Sequence, residues 1–357
     1  MLVSPSPRWL SYWGSLPVVT AVSAQLLLGC NSLWGIGDLR YESAAGGNAT
    51  ASGIGGAGGA GGVGAGGSAG GTPQGGGGGG GHGGSGCTFG PFHSPEPLVG
   101  FDTTYTAWDP AVSADELTLW WGGERPGTLG QGDLWFSVRP AIGAPFGSTE
   151  NAGAINTASA EGDPELSADG LTLYWVSDRT GGVGDFDIWY ATRTSVVASF
   201  GAEDNASLLN TTASERDPAL SADGHTLYFV SDRVGGTGEH DIWYASRSDL
   251  SAPFDDPQLL PGVNTVDGDD NPAVSPDGLT LYFASNRVGG AGSADIWYAT
   301  RPDEDSDFGS PQPLTAANST SVDSDPTLSA DGRTLYFATT RGAHTSGRLW
   351  TVVRQCE

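Results

Sequence analysis

The chain has 357 residues, a formal net charge of −26 and fifteen basic residues, every one an arginine. So acidic a chain is excluded from gripping nucleic acid through its phosphates, which takes a basic surface, and from adsorbing to anionic lipid by charge. It fits a soluble surface or one that draws in cations.

The N-terminal stretch reads as an export signal. Arg8 is the one positive charge before Cys30, and the fourteen residues LPVVTAVSAQLLLG that follow are mostly apolar. That run is too short to span a bilayer, which takes roughly 20 residues. It ends in LLLGC, Leu26 to Cys30, which resembles the lipobox of bacterial lipoproteins. The resemblance implies a signal peptide over residues 1–29 and lipidation of Cys30. Asn31 rather than Asp follows, which implies sorting to the outer membrane, facing either the periplasm or the outside. The alternative is an ordinary signal peptide with an incidental cysteine.

Residues 30–86 read as a tether. From Ser43 to Gly86 the chain is mainly Gly with Ala, Ser and a little Thr. Such composition buries no core and is expected to stay disordered. About forty residues of Gly-rich coil have an end-to-end distance of roughly 35 Å. A phosphate-binding loop is excluded, because the chain has no Lys to complete one.

An Asp-Pro or Asn-Pro pair then recurs at Asp109, Asp163, Asp217, Asn271 and Asp325, each 54 residues after the last. A fixed period of that size marks a propeller, solenoid or array. Within the unit, PALS (Pro218 to Ser221), TLYFVS (Thr226 to Ser231) and DIWYAS (Asp241 to Ser246) read as strands. A weaker fourth strand is expected around FDDPQLL (Phe254 to Leu260). The turn signal ADG and a Gly-rich hairpin separate the first three. Five such units over residues 87–357 predict an all-β fold, a five-bladed β-propeller of four-stranded antiparallel blades. A β-solenoid is the rival, but its coils are shorter and lack these hairpins.

The unit PALSADGHTLYFVSDRVGGTGEHDIWYASR resembles the PD40, or WD40-like, repeat of the TolB propeller and of bacterial envelope proteins. The resemblance covers residues 88 to 357 and implies a propeller. Blade 1 departs from it with Glu116 in place of the turn Gly, and blade 5 with Arg348 in place of an Asp. The TolB propeller has six blades, so the expectation of five rests on the repeat count.

The ends of the array align with its period. Phe92, Pro95, Leu98 and Thr104 match Phe308, Pro311, Leu314 and Thr320 at an offset of 4 × 54 = 216. The N-terminal segment is therefore expected to be a fourth strand that completes the last blade. Cys87 then falls at the loop position 303, two residues after Arg301, and Cys356 lies two residues after Arg354, the counterpart of Arg301. A Cys87–Cys356 disulfide is expected, with Cys30 left over.

In propellers the loops before the first strands and between the second and third strands share a face. That face would carry Asp109, Asp163, Asp217 and Asp325, and, two residues earlier, Glu161, Glu215, Asp269 and Asp323. Arg125, Arg179, Arg233, Arg287 and Arg341 repeat in the facing loops. Two readings stand: the acids cap loop amides and pair with the arginines, or several bind a hard cation such as Ca²⁺ at the axis. Asp267 to Asp270, DGDD, lacks the spacing of an EF-hand loop. The series Trp135, Trp189, Trp243, Trp297 and Trp350 reads as blade-to-blade core rather than as a sugar platform. His240 reads as a functional or a merely solvated loop residue. No nucleophile elbow or metalloprotease motif occurs.

These readings predict a monomeric outer-membrane lipoprotein, attached to the membrane through its lipid alone. It acts as a non-catalytic binding or scaffolding module for an envelope protein or glycan. No cofactor is expected beyond the possible Ca²⁺. The alternative is a glycoside hydrolase or lyase with carboxylates in the funnel.

Overall fold

The computed structural model describes residues 88–101, 104–342 and 347–356. The signal, the tether, Cys30, Cys87, His82 and His344 lie outside the described residues. Blade 1 consists of β2 (Trp108–Val112), β3 (Thr118–Gly123), β4 (Asp133–Val138) and β5 (Glu150–Asn151). Blade 2 consists of β6 (Glu161–Leu166), β7 (Thr172–Ser177), β8 (Asp187–Thr192) and β9 (Asp204–Asn205). Blade 3 has β10 (Glu215–Leu220), β11 (Thr226–Ser231), β12 (Asp241–Ser246) and β13 (Gln258–Leu259). Blade 4 has β14 (Asp269–Val274), β15 (Thr280–Ser285), β16 (Asp295–Thr300) and β17 (Gln312–Pro313). Blade 5 has β18 (Asp323–Leu328), β19 (Thr334–Thr339) and β20 (Arg348–Val353), and β1 (Glu96–Pro97) completes it as the outer strand. Every neighbouring pair within a blade is antiparallel. The chain is a five-bladed β-propeller.

The second and third strands form where the sequence places them, at Thr226–Ser231 and Asp241–Ser246 in blade 3. The first strand differs. It starts at Glu215, three residues before the expected Pro218, because the ladder resumes on the far side of the Asp-Pro pair. Glu215 pairs with Ser231 and Arg216 with Val230; the register then shifts, and Ala219 pairs with Tyr228. The fourth strand shrinks to Gln258–Leu259. It is an outer edge, and Pro257 and Pro261 on either side have no N–H for a ladder.

The blades bury one another. Phe229, Trp243 and Leu227 of blade 3 share a cluster with Tyr174, Val176 and Ile188 of blade 2. Phe283 and Trp297 of blade 4 repeat this against Tyr228 and Ile242 of blade 3. Trp135 and Trp189 sit in the corresponding clusters, and Trp350 packs against that between blades 4 and 5. The tryptophan series is core.

Blade 5 closes as its period demands. Glu96 pairs with Thr351 and Pro97 with Trp350, as Gln312 and Pro313 pair with Tyr298 and Trp297. The Leu98 N–H donates to the Leu349 carbonyl at 3.0 Å, and Leu314 N–H to the Ile296 carbonyl at 2.8 Å. Phe89 forms a β-bridge with Cys356, and Cys356 is held in a disulfide.

The arginine after each third strand locks the turn between the first and second strands. Arg193, Arg247, Arg301 and Arg354 donate through Nε to the carbonyls of Gly170, Gly224, Gly278 and Gly332. In blade 1 Arg139 does so to Glu116, which takes the glycine's left-handed backbone at φ +57° and adds a carboxylate contact at 3.3 Å.

Candidate functional site

The repeated Asp-Pro pair puts a carboxylate on the axis. Asp109, Asp163, Asp217, Asn271 and Asp325 sit at the register shift of each inner strand with φ between 49° and 54°. Apart from Gly, Asp and Asn are the residues that tolerate this left-handed region best, which accounts for the one Asn in the series. Each of three junctions is stitched by the carboxylate. The N–H of Asp217 donates to Asp163 Oδ2 at 3.1 Å, that of Asn271 to Asp217 Oδ2 at 3.2 Å, and that of Asp109 to Asp325 Oδ2 at 3.3 Å.

Burial and crowding favour the protonated form of three of these acids. Burial first, then repulsion from Asp163, Asp325 and Asp217, pushes the Asp109 carboxyl well above the usual range, and it shares a hydrogen bond with Asp163. Burial, then Asp163 and Asp270, raises Asp217 in the same way. Asp325 is pushed up to about 7, chiefly by burial. One carboxylate oxygen each from Asp109, Asp163 and Asp217 lie within 4.8 Å of one another. An all-oxygen donor set of that kind suits a hard cation.

These carboxyls border a cavity of about 180 Å³. Its walls are the prolines after each Asp and apolar residues such as Leu166, Leu220 and Leu328, as far as Ala114, Ala168 and Ala222 in the turns between first and second strands. The cavity therefore lies on the turn side of the acids, not on the side of the loops between second and third strands. Glu165 lines it. The sequence reading missed this residue. Its repeat counterparts are Ala111, Ala219, Ala273 and Thr327, and the one charge in that series of small residues was the available signal. Glu165 accepts the Leu220 N–H at 3.0 Å across the blade junction, and burial pushes it up to about 8.

The second set of acids is placed elsewhere. Glu161, Glu215, Asp269 and Asp323 are all 0% exposed. Glu215 accepts from Thr211 N–H (2.7 Å), Thr211 Oγ1 (2.8 Å), Ser231 Oγ (2.9 Å) and Arg233 Nη2 (3.0 Å). Glu161 repeats this with Thr157, Ser177 and Arg179, and Arg287 and Arg341 pair with Asp269 and Asp323. Each arginine also reaches back to a carbonyl of the incoming connection, as Arg233 does to Leu209 at 2.6 Å. These acids fasten the connection between blades to the sheet. Blade 1 has Ala107 at this place, and its Arg125 lies against the rings of Tyr105, Trp121 and Trp135.

On the loop face, His240 Nδ1 lies 2.9 Å from Asp270 Oδ1. That hydrogen bond raises the His240 pKa, against the effect of burial. His225 instead bonds the Arg247 carbonyl at 2.8 Å.

Among solved structures, the chain is similar in fold to a thermostable family-43 glycoside hydrolase. The two share 16% identity over 73% of this chain and 92% of the other, with a TM-score of 0.50. It is also similar to a putative TolB from Agrobacterium tumefaciens (21% identity, 70% and 79% covered, TM-score 0.45). TolB from Acinetobacter baumannii is a further match (16% identity, 71% of this chain, TM-score 0.46), and the chain spans only 56% of that protein's length. No protein-family model matches the chain, and no curated protein matches it. At such identities the likeness is one of fold.

Proposed function

We propose that this chain is an exported lipoprotein of the bacterial envelope, of the PD40 and TolB-like kind. Its propeller is anchored through Cys30 and binds a protein or glycan partner without catalysing a reaction. The observation that carries this reading is the bonding of the axial carboxylates: Asp163, Asp217 and Asp325 each hold the backbone of the next blade. General acid–base catalysis needs carboxyls with unlike environments and unlike roles. Here three of the carboxylates repeat one role, each accepting the N–H of the next axial residue. The cavity, at about 180 Å³, is also below the roughly 300–1,000 Å³ of sites that bury a small-molecule ligand.

One observation favours the glycoside hydrolase or lyase reading. Glu165 breaks the symmetry, and an acid held protonated to about pH 8 is suited to protonating a leaving group. Polysaccharide and ester panels run on the wild type and on Asp163→Ala, Asp217→Ala and Glu165→Gln test the two against each other. No turnover is expected. Turnover lost in one folded variant and kept in the others would replace the binding reading with the enzymatic one. The anchor is tested separately: Cys30→Ser is expected to leave the membrane fraction, and a variant that stays there is anchored by something else.

A further inference from the structure

The side chains that meet at the blade junctions change from one junction to the next although the backbone there does not. On the loop face, the carbonyl of the residue before each third strand accepts an N–H from the start of the next blade. Gly132 accepts from Glu161 at 3.0 Å, Phe186 from Glu215 at 2.8 Å and His240 from Asp269 at 3.1 Å. The next residue along the inner strand faces that same position across the junction. The side-chain pairs are Gly132 with Gly162, Phe186 with Arg216, and His240 with Asp270. The Arg216 guanidinium lies 3.9 Å from the Phe186 ring centre, and His240 bonds Asp270 at 2.9 Å. A junction that closes with two glycines shows that the fold needs neither an Arg–Phe nor a His–Asp pair. Those side chains are therefore available for a contact outside the blade.

The surroundings say what. His240 and Asp270 keep 34% and 36% of their side chains exposed. Val234 in the hairpin of blade 3 is 101% exposed, and Val266 in the connection between blades 3 and 4 is 75% exposed. The blade 3 hairpin lies against that connection: a Cβ on Gly238 would meet the carbonyls of Thr265 and Asp267 at 2.5 Å. Asp232 and Glu239 are exposed beside them. Exposed apolar side chains rimmed by acids mark a surface for a partner of opposite charge. A second copy of a chain carrying −26 would be repelled, and a neutral glycan would leave the acids without a counter-charge.

We infer that the junction of blades 3 and 4, around His240–Asp270 and the exposed Val234 and Val266, docks a protein segment carrying basic and apolar side chains. This rests on the binding-module reading and assigns its partner's chemistry.

The test titrates the full chain with a labelled twelve-residue peptide of alternating Lys and Leu, and with a Glu/Leu counterpart, followed by hydrogen-exchange mapping. The Lys/Leu peptide is expected to bind, to protect the blade 3 hairpin and the connection to blade 4, and to lose affinity roughly tenfold in Val234→Ser/Val266→Ser. The same loss is expected in His240→Gly/Asp270→Gly, a pair the fold already tolerates at Gly132 and Gly162. Asp249→Asn/Asp303→Asn, in the loops after the third strands, is expected to bind as the wild type does. An equal loss in that control, no binding, or binding of the Glu/Leu peptide overturns the inference. Protection elsewhere on the propeller, or of these loops by a neutral glycan instead, overturns it too while leaving a binding module. Turnover in the substrate panels instead removes the reading beneath it.

Discussion

The backbone N–H of Asp217 donates to the Oδ2 of Asp163 at 3.1 Å, from one blade to the next. The donor is itself an axial aspartate whose own Oδ2 holds Asn271. Asp163→Ala removes the acceptor and leaves an alanine at φ +51°. A lost hydrogen bond of this kind costs about 1–1.5 kcal/mol and the left-handed backbone about 1 more. Asp163→Asn keeps the acceptor and removes a charge from a crowded site. Urea unfolding is expected to show a loss of about 2 kcal/mol for Ala and under about 0.5 kcal/mol for Asn.

The buried acid–arginine pairs are expected to be costlier to break. Glu215 is 0% exposed and Arg233 would be left with an uncompensated charge. Glu215→Ala is expected to cost about 3–5 kcal/mol, and Glu215→Ala/Arg233→Met to recover most of it, because removing both charges removes the desolvation penalty. A single variant as stable as the wild type would show that the pair does not hold the connection down.

The acids in the cavity set the direction of pH dependence. Asp325 is raised to about 7 and Glu165 to about 8, with Asp109 and Asp217 raised as well. Through these groups the folded chain binds more protons than the unfolded chain above pH 4. The stability from Asp325 and Glu165 is present in full below about pH 4 and is lost as pH rises through 7 to 8. Metal-free protein is expected to melt at a lower temperature at pH 8.5 than at pH 5.5, with a shallower decline in Glu165→Gln. The same slope in wild type and variant would remove Glu165 from the account.

A cation would reverse that slope by favouring the ionised carboxyls. If Ca²⁺ occupies the group formed by Asp109, Asp163 and Asp217, chelator lowers the melting temperature at pH 7.5 and added Ca²⁺ restores it. An unchanged melting curve dismisses the cation.

The fold was legible because the repeat writes its alternation five times: TLYFVS and DIWYAS became β11 and β12 without adjustment. The inner strand was misjudged because Asp-Pro reads as a break, and only the bulge lets pairing resume beyond it. The two acid series were legible as repeats but not as separate sites. They stand two residues apart, yet the left-handed turn at Asp217 sends one side chain to the axis while Glu215 turns into the sheet. Glu165 and Arg216 escape the repeat for the opposite reason: each stands at its position in one blade alone.

The convergence of the axial residues, and every reading of the site, depends on the two ends of the array sharing blade 5. Peptide mapping of non-reduced protein tests this most directly. A fragment joining Cys87 to Cys356 is the expected result. Cys356 found as a free thiol, or bridged to Cys30, would contradict it.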